Sequence, residues 1–176
     1  MKRHLILFVL LAFVLTSIWF GPKKIIAHAE EGLAFYNPIR AYEIATHLWQ
    51  ETGFGHVNPF LTSRLTFNAF IASLYLLGIP NVTIQQIVFF LLILVPLMTI
   101  PRLMKTLFPD LKNYIGFYSA LFYVFNLFFV SQVLRRFIYE FFLLWSYLPL
   151  FIYLWIRWLD SRKIKYFISF ILTSLV

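Results

Sequence analysis

An all-α, polytopic membrane protein is the fold class that the sequence predicts, and three observations predict it. First, 61% of the 176 residues are hydrophobic and only 12% are charged, whereas a soluble domain carries about a quarter charged residues. So large an apolar excess has no interior to occupy in a chain of this size and must face lipid. Second, uncharged runs recur at residues 5–20, 65–81, 82–101, 114–134, 141–156 and 166–176, most of them near the length that crosses a bilayer as a helix. Third, Lys and Arg gather in short clusters between those runs, as in cytoplasmic membrane loops. The net charge of +8 therefore speaks for a membrane surface and against nucleic acid. The chain has no cysteine, which excludes a disulfide framework, a thiolate nucleophile and any Cys-based metal site.

The elements follow in chain order. Met1-Lys2-Arg3-His4 precedes the run 5–20, and no small-x-small cleavage site follows closely, so an uncleaved first span is expected, with Trp19 at its outer end. Residues 21–64 form an outer loop holding Glu30, Glu31, Glu43 and Glu51, four of the seven acids, and His28, His47 and His56, three of the four histidines. Within it Asn37-Pro38 reads as an N-cap followed by proline at the first helical position. Helical spacing from there to Gln50 puts Ala41, Ile44, Ala45 and Leu48 on one face and Arg40, Glu43, His47 and Gln50 on the other. Gly53-Phe54-Gly55 stops this amphipathic helix, which is expected in the interface plane. Gly78-Ile79-Pro80-Asn81 marks a turn. Pro96 and Pro101 fall inside the next run, which a membrane helix tolerates when neighbours satisfy the freed carbonyls. The last run, 166–176, spans 11 residues, and the expectation is a chain truncated within a span.

Charge decides the topology. With the N-terminus inside and residues 65–81 crossing, the inner face holds only Lys2, Arg3, Arg135 and Arg136 of the 15 basic residues, which inverts the positive-inside rule. If residues 60–80 instead form a juxtamembrane hairpin, the inner face holds Lys2, Arg3, Arg102, Lys105, Lys112, Arg157, Arg162, Lys163 and Lys165. That reading is preferred. It gives spans at about 5–20, 82–101, 114–134, 141–156 and 166–176, with the N-terminus inside the cytoplasmic membrane and the polar loop outside. The competitor has every run spanning with the N-terminus outside.

The segments AEEGLAFYNPIRAYEIATHLWQETGFG, NPF…FNAFIASLYLLGIPNVTIQQIVFFLLIL and SQVLRRFIYEFFLLWSYLPLFIYLW carry a resemblance. Over residues 5–160 the chain resembles the N-terminal half of GT-C superfamily membrane glycosyltransferases, and is similar to the bacterial alpha-(1→3)-arabinofuranosyltransferase type. The resemblance implies a transmembrane helix bundle whose outer loop carries a catalytic carboxylate and juxtamembrane helices. It also implies a polyprenyl-phosphate sugar donor and a glycan or lipid acceptor. The loop acids are glutamates where many relatives have aspartate, and the second loop has no Asp-x-Asp pair.

Transfer from a lipid phosphate needs a carboxylate to take the acceptor's proton and cations to neutralise the leaving phosphate. Glu30 and Glu31 match the position of the family's loop acid, and two adjacent carboxylates raise one another's pKa, which suits a base; a solvated acidic loop is the bland alternative. Arg135 and Arg136 are placed to hold the donor phosphate, with Glu140 positioning the acceptor or a divalent cation, and an Arg136–Glu140 helical ion pair is the structural alternative. Arg64 is a further phosphate contact or a head-group anchor. The histidines lack tight metal-ligand spacing, and Trp145, Trp155 and Trp158 are expected in aromatic belts. Two other functions stay open: a lipid or solute transporter or flippase, and a non-catalytic assembly subunit.

Overall fold

In a computed structural model the described residues are 2–20, 24–26, 33–50, 55–57, 61–129, 131 and 139–174. Among them the chain is mostly helical, with eight helices and one two-residue-per-strand hairpin: α1 (Lys2–Trp19), α2 (Leu33–Tyr36), α3 (Pro38–Thr46), β1 (Trp49–Gln50), β2 (His56–Val57), α4 (Leu61–Leu76), α5 (Asn81–Leu107), α6 (Asn113–Val124), α7 (Tyr139–Ser161) and α8 (Ile164–Ser174). Two helices, Asn81–Leu107 and Phe141–Ser161, are long and apolar enough to cross a membrane. The described residues divide into two compact units, one within 2–19 and 88–174, the other within 20–87.

The first, apolar unit is α1, α6, α7, α8 and all but the first turns of α5. Its core is aromatic. Phe129 stacks on Trp145 at 4.6 Å between ring centres, Phe142 meets Phe89 edge-on at 5.2 Å, and Tyr123 lies flat against Trp145 at 5.1 Å. Trp145, expected at an aromatic belt, is thus buried inside. Trp19 packs edge-on against Phe89 at 6.3 Å, while Phe8, near the other end of α1, stacks on Phe117 at 5.2 Å. Gly116, Ala120 and Val124 form the buried stripe of α6. A Cβ on Gly116 would lie 3.2 Å from the Cα of Pro101, so the missing side chain lets the α6 backbone close on α5, as small residues do between apolar helices.

Two of the helix prolines expose a common device. Proline has no N–H, so Pro96 frees the Leu92 carbonyl four residues earlier and Pro149 frees that of Trp145. Ser146 Oγ of α7 donates to the Leu92 carbonyl at 2.6 Å, and the Tyr123 hydroxyl of α6 donates to the Trp145 carbonyl at 2.8 Å. Each gap in one helix is closed by a hydroxyl from its neighbour. The expectation that a neighbour satisfies the freed carbonyl is met for Pro96, and Pro149, which the sequence reading does not single out, follows the same rule.

The apolar run that begins at Tyr114 is not one helix. α6 stops at Val124, the Asn126 amide donates to the Tyr123 carbonyl at 2.7 Å, and its Oδ1 accepts the Phe129 N–H at 2.8 Å. Asn126 therefore closes α6 and caps the next helical turn.

The second unit holds α2, α3, the β-hairpin, α4 and the first turns of α5. Asn37 accepts the Arg40 N–H at 3.1 Å with Pro38 at the first helical position, as the sequence predicts. α3 ends at Thr46 rather than Gln50, because His47 turns extended and Trp49–Gln50 pairs antiparallel with His56–Val57. Ala41 and Ala45 of α3 are buried, as are Ile71 and Ala72 of α4, while Asn68 of α4 donates to the Ala41 carbonyl at 3.3 Å. Leu48, assigned to the same apolar face, is exposed. α4 ends in a Schellman turn. Gly78 takes φ +82°, its N–H reaches the Tyr75 carbonyl, the Ile79 N–H reaches that of Leu74, and Pro80 follows.

The proline device gives a coupling test. Ser146→Ala leaves the buried Leu92 carbonyl unpaired and is expected to destabilise by about 1–3 kcal/mol. In a Pro96→Ala background the helix supplies its own N–H, and the same change is expected to cost about 0.6 kcal/mol or less. Unfolding in mixed micelles followed by tryptophan fluorescence measures both, and an equal cost in the two backgrounds would refute the assignment.

Candidate functional site

The residues that the sequence nominates divide into those the structure describes and those it does not. Glu30, Glu31, Arg135 and Arg136 lie outside the described residues, as does His28. Glu140 sits in the first turn of α7, with its backbone alone described. Arg64 lies near the start of α4 and is half-buried. His47 closes α3 with its Nδ1 2.5 Å from the Glu43 carbonyl, and His56 is exposed on β2. Among the described residues no three His, Asp or Glu side chains converge as a metal site would require.

What the structure does place is the start of the polar loop. Gln85, in the second turn of α5 and fully buried, binds the backbone of Ile26 at both ends of its amide. Its Oε1 accepts the Ile26 N–H at 2.8 Å and its Nε2 donates to the Ile26 carbonyl at 2.5 Å. A backbone segment is gripped as a β-strand partner would grip it, four residues before Glu30. Asn81 adds a donor to the Tyr36 carbonyl at 3.2 Å. The loop that carries the nominated acids is therefore tied to α5 on both sides of them.

A second site appears within the apolar unit, and sequence reasoning missed it. A cavity of about 640 Å³ is lined by the N-terminal turns of α1, the last turns of α5, the α5–α6 connection, the first turns of α6 and the end of α7. Its walls include Phe8, Met98, Pro101 and Phe117, all buried or half-buried. Around them stand Arg102, Lys105, Lys112 and Arg157, with Asp160 the single carboxylate among its lining residues. Lys105 ties the connection down, its Nζ donating to the carbonyls of Pro109 and Leu111. Arg102 donates to the Met98 carbonyl one turn back at 3.0 Å. Arg157 donates from Nη2 to the Tyr166 hydroxyl at 3.2 Å and covers that ring at 5.2 Å, while its Nε is buried without a hydrogen-bond partner.

These cations were legible only as loop charges. Arg102 and Lys105 are three apart and so share a helix face, but nothing in the sequence joins them to Lys112 or to Arg157. Tertiary packing does that.

No family model matches the chain, and neither a curated protein nor a solved structure does.

The Gln85 grip makes a prediction. Gln85→Leu keeps the side chain's bulk and removes both bonds to Ile26. Loss of about 1.4 kcal/mol of local stability corresponds to a ten-fold rise in opening, and tryptic cleavage after Lys24 is expected to accelerate by about that factor. Unchanged cleavage would show that Gln85 does not hold the loop.

Proposed function

We propose that this chain acts within a GT-C-type membrane glycosyltransferase, moving a sugar from a polyprenyl-phosphate donor to a glycan or lipid acceptor at the outer face of the cytoplasmic membrane. The observation that carries this reading is the course of the chain through the apolar unit. The first turns of α1 and the last turns of α5 line one cavity, while Trp19, at the other end of α1, meets Phe89 of α5. α1 therefore ends, and α5 begins, on the same side. An even number of crossings must separate them. α4 is the longest helix in between among the described residues and packs on α3, which favours a juxtamembrane place for it. This supports a connection over residues 20–80 with an even number of crossings, none of them on the preferred reading, as the glycosyltransferase reading requires.

Surface chemistry agrees. Ile18 is 72% exposed, Phe122 80% and Leu127 85%, and side chains of that kind belong against lipid. On this reading the cavity's four cations belong at the cytoplasmic end, in keeping with the positive-inside rule. Charged side chains of α5 and α7 stand at helix ends, where head groups are met, and the stretches 81–101 and 141–156 carry none. Ion or solute transport through the bundle would call for such groups mid-span.

The chemistry assigned to the loop is a single displacement. Glu30 or Glu31 takes the acceptor hydroxyl's proton as its oxygen bonds to the sugar's anomeric carbon. The bond from that carbon to the donor phosphate oxygen breaks, and the polyprenyl phosphate departs with the electron pair. Arg135 or Arg136 holds the phosphate, Arg64 is a further contact, and Glu140 positions the acceptor.

Topology is tested on a cysteine-free background. E51C and D110C, expressed singly in intact cells, are challenged with a membrane-impermeant thiol reagent. Labelling of E51C alone is expected; labelling of both or of neither would mean that α4 crosses, and the reading falls. In a transfer assay the E30A/E31A double variant is expected to lose roughly 10²–10⁴-fold, and intact transfer would remove the catalytic assignment.

A further inference from the structure

We propose that the cationic cavity of the apolar unit is a binding site for an anionic phospholipid, with its phosphate among Arg102, Lys105, Lys112 and Arg157 and its acyl chains along the apolar wall. The proposal rests on the membrane placement argued above and not on glycosyl transfer. None of the residues assigned to transfer is among those that line the cavity. Glu140 and Arg157 stand at the two ends of α7, 17 residues and so about 26 Å apart along one helix.

Three observations point to this occupant. The cavity is amphiphilic in the sense a lipid is. Arg102, Lys105 and Lys112 are exposed, whereas Phe8 and Gly116 are buried and Met98, Pro101 and Phe117 half-buried, so charge rims an apolar wall. The charge is one-sided, with four cations to one carboxylate, and basic pockets between membrane helices on the cytoplasmic side attract anionic head groups. Donor capacity is also left over. Arg157 Nε is buried and unpartnered, and Lys112, the N-cap of the twelve-residue α6, gives that helix no side-chain cap. The first-turn N–H groups of α6 carry the positive end of its dipole. A phosphate diester would take up both kinds of donor. At about 640 Å³ the space falls within the range of small-molecule sites.

A lipid head group and a free phosphate share this chemistry, and the test separates them. The whole chain, purified and stripped of lipid, is offered equal amounts of dioleoylphosphatidylglycerol and dioleoylphosphatidylcholine in micelles, and retained lipid is counted by native mass spectrometry. One phosphatidylglycerol held in preference is expected. R102Q and R157Q are each expected to lower that preference about five-fold, as for one cation near a head group. R40Q removes the same charge from exposed α3 and is expected to leave it unchanged. Arg102 bonds only within its own helix turn, so R102Q keeps the fold and serves where R157Q does not. Equal retention of the two lipids, or an equal loss in R40Q, would overturn the site. Displacement of the lipid by excess inorganic phosphate would overturn it in favour of a soluble ligand. Thiol labelling at E51C and D110C reports on the topology alone, so a failed lipid preference with correct labelling counts against this site and leaves the first reading standing.

Discussion

The apolar unit depends on one constraint: a proline inside a helix surrounded by apolar groups frees a carbonyl that water cannot reach. Leaving such a carbonyl unpaired costs about 1–3 kcal/mol. Pro96 and Pro149 create two of these debts in adjoining helices, and the chain answers both with a hydroxyl from the next helix, Ser146 to Leu92 and Tyr123 to Trp145. The pairings run from α7 to α5 and from α6 to α7. Register among the three helices is thereby fixed at two points, because a hydroxyl one turn away reaches a carbonyl that is already bonded. Aromatic stacking of Phe129, Phe142 and Trp145 fills the space but is less particular about position. The hydrogen bonds choose the register and the rings supply the contact area.

The same economy governs five buried polar residues, Ser146 among them. Thr16, Asn68, Gln85, Thr99 and Ser146 are buried, and each reaches a backbone atom: Thr16 the Ala12 carbonyl, Asn68 that of Ala41, Gln85 both groups of Ile26, Thr99 the Val95 carbonyl and Ser146 that of Leu92. A polar side chain in such surroundings is tolerated when its bonds are made. Spent on backbone, these groups serve packing.

How far the sequence discloses this varies with the range of the interaction. Local signals are read well. Asn37-Pro38 starts α3 and Gly78-Ile79-Pro80 ends α4, since a cap or a left-handed glycine needs only its near neighbours. The end of α3 is misjudged because the pairing of Trp49 with Val57 outweighs the helical spacing of Leu48 and Gln50. Trp145 looks like a belt residue by its place in the run and is interior because Tyr123 and Phe129 close over it. The break at Asn126 hides in an uncharged stretch, where only side-chain geometry reveals it. Of the nominated site, Arg64 and the backbone of Glu140 can be placed, while Glu30, Glu31, Arg135 and Arg136 lie outside the described residues. The cationic cavity could not be read at all, because it joins residues separated by up to 155 positions, from Leu5 to Asp160.

Chemistry in this chain is thereby pushed to the helix ends. The middle of the bundle holds hydroxyls committed to carbonyls, Ser146 to Leu92 and Tyr123 to Trp145, and the stretches 81–101 and 141–156 of α5 and α7 offer no charged group. α7 shows the consequence in one element: Glu140 opens it, Arg157 and Asp160 close it, and between them lie only aromatic and aliphatic residues with Ser146 and Pro149. A helix of this composition carries charge only toward its two ends, the arrangement that a bilayer-crossing helix requires. If one end meets a donor phosphate and the other a structural lipid, a change at Arg157 alters lipid retention without touching the residues assigned to transfer, and a change at Glu140 does the reverse. The two readings are thus joined by a single helix and separable by its length.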